Sequence, residues 1–177
     1  MRTFEQLQEL WKASPAPPVG EGTVVALAVR VAKLENELAD QVEITVDGGI
    51  AGDRWGQDED RTTDRQISLM NARAAELVCD GEHPLSEPGD NLVVDFDVSE
   101  AALPVGTRLR AGTALLEVTP EPHKGCKKFS TRFGPEALRW VNLKDQRPYR
   151  FRGVYCKVIE AGSVRVGDTI AVVRAGD

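Results

Sequence analysis

Residues 151–173 read FRGVYCKVIEAGSVRVGDTIAVV, and this stretch decides the fold class. Val154, Cys156 and Val158 fall on one face of an extended chain, because successive side chains of a strand point to opposite sides. A second extended run, VRVGDTIAVV, follows at once, and Gly and Asp mark the turns. Working outward, the same grammar repeats in ALLEVTPEP (114–122), GTRLRAG (106–112), NLVVDFDV (91–98) and RQISLM (65–70). QVEITVDG (41–48) sets Val42, Ile44 and Val46 against Gln41, Glu43 and Thr45, and GTVVALAVRVAK (22–33) is a longer Val-rich strand. VGTRLRAG (105–112) and VGDTIAVV (166–173) resemble each other as one turn-then-strand device used twice, not as a repeat. Many short strands at roughly ten-residue spacing predict a mainly β barrel or sandwich.

Helical spacing is confined to three places. Phe4, Leu7, Leu10 and Trp11 predict an N-terminal helix that the run SPAPP (14–18) stops, since proline cannot continue it. NARAAELV (71–78) predicts a helix capped by Asn71. GPEALRWVNLK (134–144) predicts another, with Leu138, Trp140 and Val141 inward. LENELAD (34–40) reads as a turn or short excursion, and residues 48–64 and 79–91 read as loops. Residues 1–19 are thus a helix and Pro-rich connector, and 20–177 a single domain, as expected for a chain of 177 residues.

The net charge of −6 lacks the basic stripe a nucleic-acid binder needs. No apolar run approaches the ~20 residues that cross a bilayer. Glu5 and Glu9 interrupt any basic-then-apolar leader, so the expectation is a cytoplasmic protein. Cys79, Cys126 and Cys156 are odd in number and widely spaced, which predicts free thiols in a reducing compartment. No CxxC or HExxH pattern supports a structural zinc site. Basic residues gather locally at Lys124, Lys127, Lys128 and Arg132, then at Arg147, Arg150 and Arg152. One cationic neighbourhood in an acidic chain suits a small anionic ligand.

Cys126 is the leading candidate for chemistry. Its neighbours His123, Lys124, Lys127 and Lys128 would favour the thiolate, the form that acts as nucleophile and soft ligand. Cys156 and Cys79 read as core residues, because a free cysteine packs as a small hydrophobe. His83, before Pro84, reads as a loop residue.

The block TPEPHKGCKKFSTRFG (119–134) resembles the MOSC family. So do AGDRW (51–55), RQISLMN (65–71), GDNLVV (89–94), VGTRLRAG and RGVYCKVIEAGSVRVGDTIAV in that order. The resemblance spans about residues 20–173, and such domains also occur at the C-terminus of molybdenum-cofactor sulfurases. It implies a MOSC-like β-barrel with a few short peripheral helices. It also implies a role with the molybdenum cofactor (molybdopterin) or with activated sulfur, centred on the cysteine that aligns with Cys126. Related stand-alone domains use that cysteine as a molybdenum ligand and reduce N-hydroxylated compounds, whereas others are proposed sulfur carriers. The family's usual Arg-x-Pro-Cys is His-Lys-Gly-Cys here, and the aminotransferase-like desulfurase domain is lacking. The implied partners are therefore an electron-donor reductase or a cysteine desulfurase, with neither nucleic acid nor membrane.

A soft sulfur ligand suits molybdenum and a persulfide relay equally. His123 would donate to an anion or tune Cys126. Arg132 and the pair Arg150/Arg152 are candidate clamps for a phosphate or pterin group, because guanidinium grips oxyanions bidentately. Lys124 and Lys127 would help position an anionic pterin phosphate, and Lys127 and Lys128, surface charges by default, would raise the local potential. Asp53, Arg54 and Trp55 form either a lip over the site, with Trp55 stacking on a flat ring, or a plug in the core. Arg65 would complete a charged cleft, and Asn91 either binds ligand or satisfies its turn.

Overall fold

The computed structural model describes residues 1–173. Helix α1 (Phe4–Ala13) opens with a capping box in which Thr3 and Gln6 satisfy each other's backbone amides. The strands follow as β1 (Glu21–Ala32), β2 (Glu35–Ala39), β3 (Gln41–Thr45), β4 (Gly49–Ile50), β5 (Ile67–Asn71) and β6 (Leu92–Asp95). After them come β7 (Arg108–Ala111), β8 (Ala114–Val118), β9 (Val154–Glu160), β10 (Gly162–Arg165) and β11 (Thr169–Val172). Helix α2 (Ala72–Cys79) follows β5, with the Asn71 side chain accepting from the amides of Arg73 and Ala74 as its cap. Helix α3 (Lys127–Asn142) lies between β8 and β9.

Strands β11, β7, β8, β9, β5, β6 and β1 pair in that order, and β11 pairs back onto β1. The result is a closed seven-stranded barrel. All its pairs are antiparallel except β5 with β6, where α2 forms the crossover. The two look-alike segments of the sequence are the neighbours β7 and β11, paired side by side. Strand β2 extends the sheet from β1, and β10, β3 and β4 form a separate small sheet that packs on β8 and β9.

Alternation along the strands sorts the side chains into two cores. Leu27, Ile67, Leu69, Leu92, Leu116 and Cys156 fill the barrel. Ala26, Met70 and Val93, one position out of phase, face outward and are covered by α1, α2 and α3 through Leu7, Phe129, Phe133 and Trp140. Both faces of β5 are buried, so none of its five residues alternates to solvent; its two polar members are satisfied inside, Ser68 by Asn91 and Asn71 as the cap of α2. Among the described residues, no helix is long and apolar enough to cross a membrane.

Two elements differ from the sequence expectation. Residues 35–39 form a strand, β2, where a turn or excursion was expected; three of its residues are exposed and none is buried, which blurs alternation. Helix α3 begins at Lys127, seven residues before the predicted start, and is broken at Gly134 (φ 82°, ψ 168°) with Pro135 opening its second half. The sequence pattern captured only that second half. Cys126 consequently stands at the N-cap of a helix, not inside a free loop.

Candidate functional site

A cleft of about 260 Å³ lies where five segments meet: the β1–β2 hairpin, the turn after β4, the loop before β6, the approach to and start of α3, and the start of β9. Cys126, His123, Lys124, Arg30, Arg54 and Lys128 line it, with Arg132, Arg152 and Tyr155. The Cys126 thiol is exposed, whereas Cys79 and Cys156 are buried. Burial pushes those two thiols up to about 12. For Cys126 partial burial works in the same direction. The amides of Phe129 and Lys128 and the charges of Arg152 and Lys128 together outweigh it and hold the thiol below its ordinary value. Neither amide closes a capping hydrogen bond; they stabilise the anion by proximity.

The Cys126 backbone is placed from the far end of its own helix. Asn142 accepts from the Gly125 amide and donates to the Gly125 carbonyl, both at 2.9 Å. The turn of α3 bearing Leu138 and Val141 lies so close that a Cβ on Gly125 would come within 2.9 Å of either.

Two buried acids anchor the floor of the cleft. Asp53 grips Arg30 through both carboxylate oxygens at 2.9–3.2 Å and also accepts from Asn91 Nδ2 at 2.9 Å. Burial works against its ionisation, yet Arg30 holds the carboxyl below its usual range. Asp90, fully buried, meets Arg152 through Oδ2 and faces His123 Nδ1 at 3.4 Å through Oδ1. Burial pushes Asp90 up, against the pull of Arg152. Burial, then the charges of Arg152 and Arg30, push His123 well below the imidazole range, so the ring is neutral and its contact with Asp90 is not an ion pair. The His123 ring packs on Tyr155, with centroids 4.1 Å apart.

The structure thus brings together Cys126, His123, Lys124 and Arg54 at one cleft, with Arg132 in its wall. Arg132 is occupied by the protein: it donates to the carbonyls of Leu34 and Glu87 and pairs with the Glu87 carboxylate at 3.0 Å. Asp53 and Asn91 stand behind the cleft as supports for Arg30. Lys127 is exposed on the first turn of α3 and is not among the lining residues. Arg65 pairs with Glu121 on the surface, 2.6 Å away. Trp55 is buried, donates to the Thr62 carbonyl and carries Arg61 over its ring, away from the thiol. Of the two plug-or-lip readings, its position is that of the plug. Arg150 donates to the carbonyls of Val98 and Leu103, whereas Arg152 enters the cleft.

Sequence reasoning missed Arg30, Asp90, Tyr155 and Asn142. Two of these left a signal. Arg30 interrupts an apolar strand, and a charge in such a place needs a buried partner. Asp90 adjoins Asn91 in a motif where only the asparagine drew notice.

A family profile described as the MOSC domain matches residues 47–171. No curated protein matches the chain. Among solved structures, the YuaD protein from Bacillus subtilis superposes with a TM-score of 0.64 at 20% identity, covering 89% of this chain and 98% of its own. YiiM from Geobacillus stearothermophilus gives 0.60 at 18% identity, over 88% of this chain and 76% of its own. YiiM from Escherichia coli gives 0.56 at 19%, over 92% and 73%. At these identities the likeness establishes the shared fold.

Proposed function

The chain belongs to the MOSC-domain family, and on that premise we propose that it binds the molybdenum cofactor through Cys126. The observation that carries this reading is the exposed thiol whose anion is favoured at the mouth of a cation-lined cleft. The donor set fits the group. Thiolate is a soft ligand suited to molybdenum, and Lys124, Lys128 and Arg54 suit the phosphate of a pterin. When bound, the cofactor would supply two-electron redox chemistry, in the sharper form a reduction of N-hydroxylated compounds with electrons from a partner reductase. The chain's own residues favour the anion of the sulfur, fix its backbone through Asn142 and surround it with positive charge.

The exposure of Cys126 also favours a second reading, in which the protein carries sulfur. The Cys126 thiolate would attack the outer sulfur of a persulfide on a cysteine desulfurase. The donor's sulfur–sulfur bond breaks, its thiolate leaves, and a persulfide forms on Cys126.

One preparation tests both. The wild type and Cys126→Ser are purified from a host that makes the cofactor, and molybdenum and pterin are measured. Stoichiometric metal lost in the serine variant supports ligation; equal metal in both, or none in either, refutes it. Intact mass after incubation with a desulfurase and cysteine should gain one sulfur atom at Cys126 if the protein is a carrier.

A further inference from the structure

Among the described residues, His123 Nδ1 and Asp90 Oδ1 are both buried without a hydrogen-bond partner, and they face each other at 3.4 Å. Asp90 Oδ2 is already engaged by Arg152 Nη1, so the carboxylate cannot turn away. The ring is pinned as well, with Tyr155 against its face and Gly153 beside Nδ1. A carboxylate paired with Arg152 carries no proton to give, so for the ionised acid the arrangement that satisfies both orphaned atoms is a proton on Nδ1, donated to Oδ1. The ring's other nitrogen, Nε2, makes no hydrogen bond and is not one of the sealed-in polar atoms. It opens on the clefts that His123 lines.

We infer that Asp90 fixes His123 as the Nδ1–H tautomer and thereby presents Nε2 as a fixed hydrogen-bond acceptor in a cleft rich in cationic donors. His123 is then a specificity-determining residue. It selects ligands that carry an N–H or O–H beside their negative charge, and disfavours anions without one. Arg30, Arg54, Lys124, Lys128 and Arg152 all donate and attract any anion alike. Glu87, the one carboxylate in the lining, is taken by Arg132. The amide of Asn36 and the hydroxyl of Tyr155 can each turn to donate, whereas an Nε2 fixed as acceptor cannot, so His123 is the group that can tell one anion from another: leaving it unmatched against a ligand oxygen costs a hydrogen bond. The inference deepens the reading of the Cys126 cleft as the ligand site, but its test needs no bound molybdenum.

Two measurements on the metal-free protein decide it. The chain has two histidines, so the nitrogen-15 spectrum of labelled protein, with His83→Gln for assignment, reports the tautomer of His123 directly. The wild type should show the proton on Nδ1. In Asp90→Asn, Arg152 keeps the amide oxygen, the amide N–H₂ turns to the ring, and the proton should move to Nε2. Inorganic phosphate and sulfate then serve as probes of one shape, of which only phosphate carries an O–H at neutral pH. The wild type should bind phosphate roughly tenfold more tightly than sulfate. His123→Phe should bring the two within about twofold. A proton on Nε2 in the wild type overturns the inference, whether or not the asparagine variant folds. So does the absence of a phosphate preference, including failure to bind either anion. Loss of the inference leaves the metal content of Cys126→Ser as a separate question.

Discussion

Arg132 separates two uses of a cation beside the thiol, and Arg132→Ala tells them apart. Its guanidinium donates to the carbonyls of Glu87 and Leu34 and pairs with the Glu87 carboxylate at 3.0 Å. Two bonds from a charged donor contribute about 1.5 kcal/mol each at the low end of their range. The partly exposed ion pair adds at most about 1 kcal/mol after solvent screening. Two terms offset part of this total. The freed carbonyls reach water, and Leu34, which holds φ at 71° without being glycine, can relax. The expected loss is about 2–3 kcal/mol, or a Tm lowered by roughly 5–10 °C for a domain of this size. Differential scanning calorimetry measures it, and amide exchange should show loosening at residues 33–36 and 86–89. Arg132→Lys should recover less than half, because a point charge cannot reach three acceptors at once. If instead Tm moved by less than about 1 °C while phosphate affinity fell tenfold, Arg132 would be a ligand clamp and the assignment of its donors to the protein would be wrong.

Gly153→Ala should be more damaging than its size suggests. Gly153 holds φ at 100°, and a Cβ there would come within 2.1 Å of the Leu69 carbonyl oxygen, a backbone atom that cannot yield. A loss of about 3 kcal/mol or more is expected, read as a fall in Tm or as insoluble protein. Cysteine labelling should find one reactive thiol in the native protein and three after denaturation. The alkylation rate of Cys126 should rise through a midpoint below the ordinary thiol value, since its folded pKa is lowered. By linkage, Cys126 contributes stability above the unfolded thiol pKa, and this is lost as pH falls through the folded value. Cys79 and Cys156 have the opposite sign. Their folded values of about 12 mean stability is lost as pH rises from the ordinary thiol range towards 12, so Tm should decline across that window.

The barrel was legible because strand burial writes itself into alternation. Val42 and Ile44 in β3, and Val154, Cys156 and Val158 in β9, are buried as their spacing predicts. What failed was local. The pair Lys127–Lys128 opens α3 with two exposed cations, and Gly134–Pro135 reads as a helix start although it is a break between two helical halves. β2 carries Glu35 and Glu37 on positions that no core requires to be apolar. Within the site, Cys126, His123 and Lys124 were legible because they lie together in the chain. Arg30 and Asp90 were harder, since they meet Arg152 only through the side-by-side pairing of β1, β6, β5 and β9, with Asp90 and Arg152 62 residues apart in sequence. Trp55 illustrates the converse: adjacency to Asp53 placed it in the candidate site, while its ring turned into the packing near Gly49.

The two buried acids explain how an acidic chain keeps a cationic cleft. A guanidinium taken out of water without a counter-charge is strongly disfavoured, so Arg30 and Arg152 can line the floor only with Asp53 and Asp90 behind them. Asp90 and Asn91 are neighbours in sequence and point to different partners. Asp90 holds Arg152 and faces His123, while Asn91 donates to Asp53 and through it steadies Arg30. One dipeptide on the approach to β6 therefore fixes both floor cations and the histidine between the clefts. The rim is built differently: Lys124 and Lys128 are exposed and carry no ion pair among the described residues. On the proposed function, a fixed floor beneath exposed rim lysines would let anions of different shape approach Cys126, while the fixed groups would decide which of them is held beside the sulfur.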